Sequence, residues 1–325
     1  MCKQTIKREA PSLQPQQKTP ENKTVSVIIP TYNRSAFLRR TLEQVLHQTY
    51  PAHEVIVIDQ TQAHPPKIER YLASIQNLIR YELLSQPSVT RARNLGLQKA
   101  RGEVILCLDD DVDLPDDFIW KHLRNYNDPD ICAVAGRITD ERKNGRFEPK
   151  RSGVITWYGR VISNFYTARR ITVDHARGAN FSFLRERALR CGGFDEQFAG
   201  NALREETDFC IRYLKAGPGR MVFDPEAALF HHIAPSGGCR VKNQGLDPLT
   251  YANELYFWLK HFGKCLLPYF LLNLFVRFFL VKSDTRKVNA WEEMRRKLKA
   301  MARGICLGIG LYRTHRRKQS RFQTE

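Results

Sequence analysis

The stretch that most constrains this chain is VILCLDDDVDLP, residues Val104 to Pro115. Val104, Ile105, Leu106 and Leu108 are large and apolar, with Cys107 among them. A short apolar run of this kind suits a strand buried on both faces of a sheet. It stops abruptly at Asp109, Asp110 and Asp111, with Asp113 close behind. Three adjacent carboxylates repel one another, so a fold gains nothing by grouping them at a strand end. A divalent cation removes that repulsion, because Mg²⁺ and Mn²⁺ favour oxygen ligands. In open α/β sheets the carboxyl end of a strand is also where ligands bind. An acidic turn opening a helix accounts for Asp116 and Asp117 beside Pro115. It does not account for the triple Asp, so a metal site is expected there.

Strands and helices alternate around this run. VSVIIP (Val25 to Pro30), HEVIVID (His53 to Asp59) and Arg80 to Leu84 have the character of strands. Helical spacing covers Ser35 to Gln48, Ile68 to Leu78 and Val89 to Lys99. This order predicts an α/β fold with a mainly parallel central sheet and flanking helices. Downstream, ICAVAGRI and MVFDPEAALFHH supply further strands. NFSFLR (Asn180 to Arg185) is a strand or a short helix, and Glu186 to Arg190 is helical. REETDFCIRYLKAG is a helix from about Glu205, closed by Gly217. Residues 153–173 carry no readable pattern. The chain divides into a disordered polar lead over 1–23, a domain over 24–250, and a helical extension over 251–325.

Charge and apolar content set the expected surroundings. The formal net charge is +18, and from Lys282 onward there are 13 Lys and Arg against 4 Asp and Glu. A basic tail suits nucleic acid, an anionic membrane surface or a phosphate-rich substrate. Basic stripes interleaved with aromatics are not evident outside the tail, so nucleic acid is not an expected partner. LLPYFLLNLFVRFFLV (Leu266 to Val281) is apolar almost all round but shorter than the ~20 residues of a membrane span. Docking on anionic lipid therefore fits better than spanning. A buried closing helix or a dimer contact is the alternative. The eight Cys are scattered without a CxxC pair, which argues against a disulfide framework and for a reducing cytosol. The first residues lack the apolar core of a secretory signal. The expected location is the cytoplasmic face of a membrane, peripheral or monotopic, or the cytoplasm.

Three further groups bear on chemistry. Glu205, Glu206 and Asp208 open a helix, where carboxylates answer the helix dipole. A fixed, partly desolvated carboxylate there can also act as a general base. His231 and His232 end a strand, and an imidazole near the Asp run would complete a coordination set. Arg91 and Arg93 face either solvent or a diphosphate. No GxxxxGK[ST], GxGxxG or GxSxG occurs, which sets aside P-loop kinases, dinucleotide oxidoreductases and serine hydrolases.

Taken in order, these pieces resemble the family 2 glycosyltransferases, which have the GT-A fold. The resemblance runs from Val25 to about Arg240. VSVIIPTYNR is similar to the family's opening strand and loop, and VIVIDQT to its base-binding strand. RARNLGLQKARGEVILCLDDDV is similar to the stretch leading into the DXD motif. GANFSFLRERALRCGGFDEQF and REETDFCIRYLKAG resemble the acceptor-side motif and the helix with the catalytic base, and DPEAALFHH the strand whose His reaches the metal. The resemblance implies a nucleotide-sugar donor contacted by Pro30, Tyr32, Arg34, Asp59, Arg91, Arg93, Asp109 and Asp110. It implies a divalent cation, Mn²⁺ or Mg²⁺, held by Asp109, Asp111 and His231. Glu206 stands at the position of the general base, where the family more often has Asp. Gln60 replaces a second Asp common in the base-binding motif.

The implied reaction is metal-assisted, inverting transfer of a sugar to a hydroxyl of a glycan or lipid-linked acceptor. One base on the far side of the anomeric carbon implies a single displacement. The alternative is a nucleotidyltransferase acting on a sugar phosphate. That activity calls for a Gly-rich, Lys-bearing loop after the first strand, and TYNRSAF is not one. A non-catalytic nucleic-acid-binding chain is a third and weaker reading.

Overall fold

Alternating apolar residues build a sheet that is buried on both faces. In the strand β1 (Val25–Thr31), Val25, Val27 and Ile29 pack into one core cluster while Ile28 packs into the other. The computed structural model describes residues 23–140, 148–263, 267–279 and 290–322, apart from 233, 235, 240, 242 and 243. Residues 1–22 of the expected lead lie outside the described residues.

The elements follow the alternation in the sequence. After β1 come α1 (Ser35–Leu46), β2 (Glu54–Asp59), α2 (Pro66–Ser74), β3 (Arg80–Leu83) and α3 (Val89–Lys99). The Asp-bearing run forms β4 (Val104–Leu108), followed by the two-residue β5 (Val112–Asp113) and α4 (Phe118–Leu123). Next are β6 (Ile131–Thr139), the hairpin of β7 (Val154–Ile155) with β8 (Val161–Ile162), and β9 (Ile171–Val173). Then come β10 (Asn180–Leu184), α5 (Arg185–Arg190), α6 (Glu205–Lys215) and β11 (Arg220–His231). The chain continues through α7 (Pro248–His261), α8 (Leu267–Phe279) and α9 (Ala290–Phe322). NFSFLR is thus a strand up to Leu184.

The main sheet has the order β3-β2-β1-β4-β10-β6-β11-β5, with β9 also on β11. β3, β2, β1 and β4 are parallel to one another, and β6 is parallel to β11. β10 lies antiparallel between β4 and β6, and β5 and β9 run antiparallel to β11. Six of the nine strands therefore share one direction, as the sequence predicts. Insertion of β10 brings Asn180 opposite Leu108, next to the Asp run. The Asn180 amide donates to the carbonyls of Arg137 and Ala227, which ties β6 to β11 at the same level. Gly136 makes this possible: a Cβ there would lie 2.3 Å from the Asn180 Oδ1.

The extension is packed against the sheet domain. Tyr251, Leu255 and Trp258 of α7 form a core cluster with Phe270 and Leu274 of α8 and Ala300 of α9. α9 approaches α7 closely through two glycines. A Cβ on Gly304 would meet the Pro248 carbonyl and the Tyr251 Cβ at 2.5 Å, and one on Gly308 the Ala252 carbonyl at 2.9 Å. Phe198 and Ala202 pack on Tyr256 and Phe257, so α7 also covers the loop ahead of α6. No helix among the described residues is long and apolar enough to cross a membrane.

Candidate active site

The carboxyl ends of β1 and β4, the end of β11 and the start of α6 meet around a cavity of about 670 Å³. β4 delivers its three carboxylates to three different environments. Asp109 keeps 31% of its side chain exposed and lines the cavity. Asp110 is buried, accepting a hydrogen bond from Thr31 Oγ1 at 2.6 Å and one from Arg34 Nη1 at 3.0 Å. Burial pushes its carboxyl up to about 6, against the opposing pull of Arg34 and Thr31. Asp111 is fully buried. Its Oδ1 lies 3.0 Å from His231 Nε2, and its Oδ2 accepts from the Ala234 N–H at 2.9 Å. Burial alone would raise its pKa. His231, Arg34 and the Ala234 N–H outweigh it and hold the Asp111 carboxyl well below the usual range.

Asp109, Asp111 and His231 each offer one ligand atom, and these atoms all lie within 4.8 Å of one another. Two carboxylates and an imidazole form an oxygen and nitrogen set that suits Mn²⁺ or Mg²⁺. Asp111 is anionic by its surroundings, and Asp109 opens the set to the cavity, so the residues fit a divalent cation.

Across the cavity, α6 carries two adjacent glutamates with different surroundings. Glu205 is buried and ion-paired with Arg93 Nη1, and Arg93 Nη2 reaches Asp109 Oδ1 at 3.7 Å. Burial raises the Glu205 carboxyl well above its ordinary value, and Glu206 and Asp109 add to this, while Arg93 opposes it. Glu206 is half-buried and accepts the Gly178 N–H at 3.3 Å. A Cβ at Gly178 would fall 1.9 Å from Arg93 Nη2, so a larger residue there would displace the guanidinium from its place beside Glu205.

A family model described as glycosyl transferase family 2 matches residues 26–192. The chain belongs to that family. It is 25% identical over 219 residues to the glucosyl-dolichyl phosphate glucuronosyltransferase of Haloferax volcanii, covering 64% of this chain and 69% of that one. It is 33% identical over 135 residues to the poly(ribitol-phosphate) beta-N-acetylglucosaminyltransferase TarP of Staphylococcus aureus, covering 39% and 40%. To the pre-mycofactocin glycosyltransferase of Mycobacterium tuberculosis it is 27% identical, covering 65% and 43%. The match thus spans less than half the length of the latter two relatives. The mannosyltransferase PcManGT of Pyrobaculum calidifontis, solved with GDP-Man and Mn²⁺, superposes with a TM-score of 0.55 over 89% of this chain and 77% of that one. GalNAc-T7, solved with UDP, GalNAc and Mn²⁺, gives 0.59 over 86% and 55%. Both are 17% identical and share the fold.

In this glycosyltransferase the residues expected at the site do not all reach the cavity. Pro30, Tyr32 and Arg34 line it from β1 and its loop, Arg93, Asp109 and Asp110 from α3 and β4, and Glu206 and His231 from α6 and β11. Arg34 is occupied within the protein. It bonds Asp110, pairs with Asp111 at 3.2 Å, and donates to the carbonyls of Ser236 and Gly237. Arg91 does not line the cavity. It points outward to Gln86 at 3.0 Å and Glu196 at 3.6 Å, because two residues along a helix lie on nearly opposite sides. Asp59 is fully buried and also outside the cavity lining. Its carboxylate accepts from the Thr61 N–H and the Tyr81 hydroxyl, and lies 2.6 Å from His64 Nε2. Gln60 does line the cavity, with its amide oxygen accepting the Ser88 N–H.

Asp208 departs from the simple helix-terminus role. It is buried, and it pairs with Arg212 at 2.8 Å and with Lys260 and His261 at 2.7 Å. Sequence reasoning also missed the Glu205–Arg93 pair and the contact of Glu206 with Gly178. Each joins positions far apart in the chain, and nothing local signals them.

Proposed function

We propose that the chain transfers a sugar from a nucleoside-diphosphate donor to a hydroxyl of a glycan or lipid-linked acceptor, with inversion. The observation that carries this reading is that Asp109, His231 and Glu206 line one cavity, with the buried Asp111 within 4.8 Å of the first two behind its wall. Asp109, Asp111 and His231 would hold Mn²⁺ or Mg²⁺, whose contribution is to neutralise charge developing on the leaving diphosphate. Glu206 takes the proton of the acceptor hydroxyl as its oxygen bonds to the anomeric carbon. The bond from that carbon to the diphosphate oxygen breaks as the new one forms, so configuration inverts. Arg93 and Glu205 neutralise each other beside Asp109 and hold the two sides of the cavity in register.

The acceptor reading draws on charge and on the relatives' names. Residues 137–177 hold ten Lys and Arg against four Asp and Glu. The Haloferax relative is named for a glucosyl-dolichyl phosphate acceptor and the Staphylococcus relative for poly(ribitol-phosphate). A phosphate-bearing acceptor suits a stretch of that charge. The membrane reading rests on the extension. Tyr269, Leu271 and Leu272 of α8 and Trp291, Met294, Leu298 and Ile309 of α9 are exposed. Arg295, Lys299, Arg303 and Arg313 are exposed beside them. Apolar residues edged by cations suit the surface of an anionic bilayer.

The test is a screen of nucleotide-sugars with Mn²⁺ and with Mg²⁺, reading nucleotide release, product anomer and thermal shift. One donor is expected to be turned over with inversion by the wild type and bound without turnover by Glu206→Gln. A product of retained configuration, or a fully active Glu206→Gln, would overturn the mechanism.

A further inference from the structure

The wall of the cavity on the α6 side is held in an unusual backbone conformation. Only four non-glycine residues among those described have positive φ, and two of them, Ala202 (47°) and Arg204 (80°), lie within three residues of Glu205. The other two are Asn33 and Asn164, a residue type that tolerates this region; Ala and Arg do not favour it. Such conformations persist where the surroundings over-determine them. Arg204 is the residue from which α6 starts, with no side-chain cap. The direction in which Glu206 leaves the helix start therefore depends on what holds Arg204.

One helix supplies the hold. Glu254 of α7 accepts two hydrogen bonds from Arg204, at 2.8 Å from Nε and 2.9 Å from Nη2, the two-pronged geometry that fixes orientation as well as charge. Only 11% of the Arg204 side chain and 14% of the Glu254 side chain are exposed. α7 grips the same segment on either side. Asn253 donates to the Ala199 carbonyl at 2.8 Å and Tyr256 to Asp195 at 2.6 Å, while Lys260 and His261 meet Asp208 at 2.7 Å. α7 lies beyond residue 192, where the family match ends.

We propose that Glu254 is a positioning residue: by clamping Arg204 in the left-handed region it aims the Glu206 carboxylate into the cavity. The proposal rests on Glu206 being the base. It assigns to the extension a part in the chemistry that is separate from any membrane contact.

Glycine offers a decisive test, because it adopts positive φ without a clamp. Glu254→Met should lower kcat on the order of 10²-fold, the scale of a misplacement near 1 Å. Donor affinity should stay close to wild type; melting temperature should fall, because a largely buried Arg204 loses its carboxylate, so rates are compared at a temperature where every variant is folded. In an Arg204→Gly background, whatever its own rate, adding Glu254→Met should change kcat by no more than about twofold, the scatter of a mutational cycle, because the two residues act through one another. Glu254→Gln, which keeps one acceptor oxygen, should fall between, and it serves if Glu254→Met folds poorly. A normal kcat in both Glu254 variants overturns the proposal. Equal losses with and without the Arg204→Gly substitution also overturn it, as does a rise in acceptor KM at constant kcat. Glu206→Gln in the same series separates the two ideas. If that variant is active, the base assignment fails and the proposal with it; if it is dead while the Glu254 variants are normal, the clamp alone fails.

Discussion

Replacing either of the two neighbouring glutamates by glutamine should damage the protein to a similar extent, but in different observables. Glu205 is 2% exposed and Arg93 3%, so Glu205→Gln takes from a buried guanidinium its closest anion. Breaking a buried pair by removing one partner costs about 3–5 kcal/mol. Asp109 remains 3.7 Å from Arg93, which places the expected loss near the lower end, about 3 kcal/mol. That is a large share of the 5–15 kcal/mol typical of a folded domain. Glu206, in contrast, accepts the Gly178 N–H at 3.3 Å, and glutamine retains an oxygen for that bond. Its stability should change by no more than about 0.5 kcal/mol. What glutamine cannot do is take a proton, and loss of a general base lowers the rate on the order of 10²–10⁴. At 1.36 kcal/mol per tenfold this is about 3–5 kcal/mol in the barrier. Urea unfolding combined with single-turnover transfer and donor binding distinguishes the two. Glu205→Gln should shift the unfolding midpoint, and Glu206→Gln should shift only the chemical step. A Glu206→Gln protein that turns over normally, or that is as destabilised as Glu205→Gln, would refute this reasoning.

Asp111→Ala should abolish transfer and remove the metal-dependent part of the stabilisation by donor nucleotide, read by thermal shift with and without Mn²⁺; unchanged turnover in excess chelator would count against the cation. Asp208 should confer acid sensitivity. Burial opposes its charge, but His261, Arg212 and Lys260 together hold its carboxyl well below the ordinary value. The stability it provides is therefore present above an unfolded pKa of about 3.9 and lost as pH falls through the lower folded value. Asp208→Asn should cost about 3–5 kcal/mol at neutral pH, and the gap from wild type should narrow below about pH 4; a gap independent of pH would deny the ionic role. The protein should co-sediment with vesicles containing anionic lipid, less so at high salt. Exchanging Trp291 and Leu298 together for Ser should weaken that binding, and equal binding to neutral vesicles would remove the electrostatic part of the argument.

How much of this was legible depended on the range over which each feature is determined. Strands β1 and β4 declare themselves because a strand buried on both faces needs only a continuous apolar run, and that run is local. The Asp run was legible for the same reason: repulsion between adjacent carboxylates is a property of the sequence itself. Residues 153–173 were not, since β7 and β8 have two residues each and β9 three, too short to show a period. Arg91 and Arg93 looked equivalent in sequence. Their different fates were decided by the rotation of α3 and by a glutamate 112 positions away. Asp59 is expected at the nucleoside; in the structure its carboxylate bonds His64 and Tyr81, and a histidine in a loop gives no sign of its partner.

The helix start at Glu205 is the sharpest case. Glu205, Glu206 and Asp208 look alike as an acidic first turn, where a shared dipole argument fits all three. The fold gives each a different set of bonded partners: Arg93 for Glu205, the Gly178 N–H for Glu206, and Arg212, Lys260 and His261 for Asp208. A carboxylate whose oxygens are engaged by a buried cation is less free to meet an acceptor hydroxyl. Glu206 is the member of the three that both lines the cavity and has no ion pair among the contacts described here. The basis for choosing it thus lies in the long-range partners of its neighbours, and Lys260 and His261 beside Asp208 come from α7, beyond the residues the family model matches.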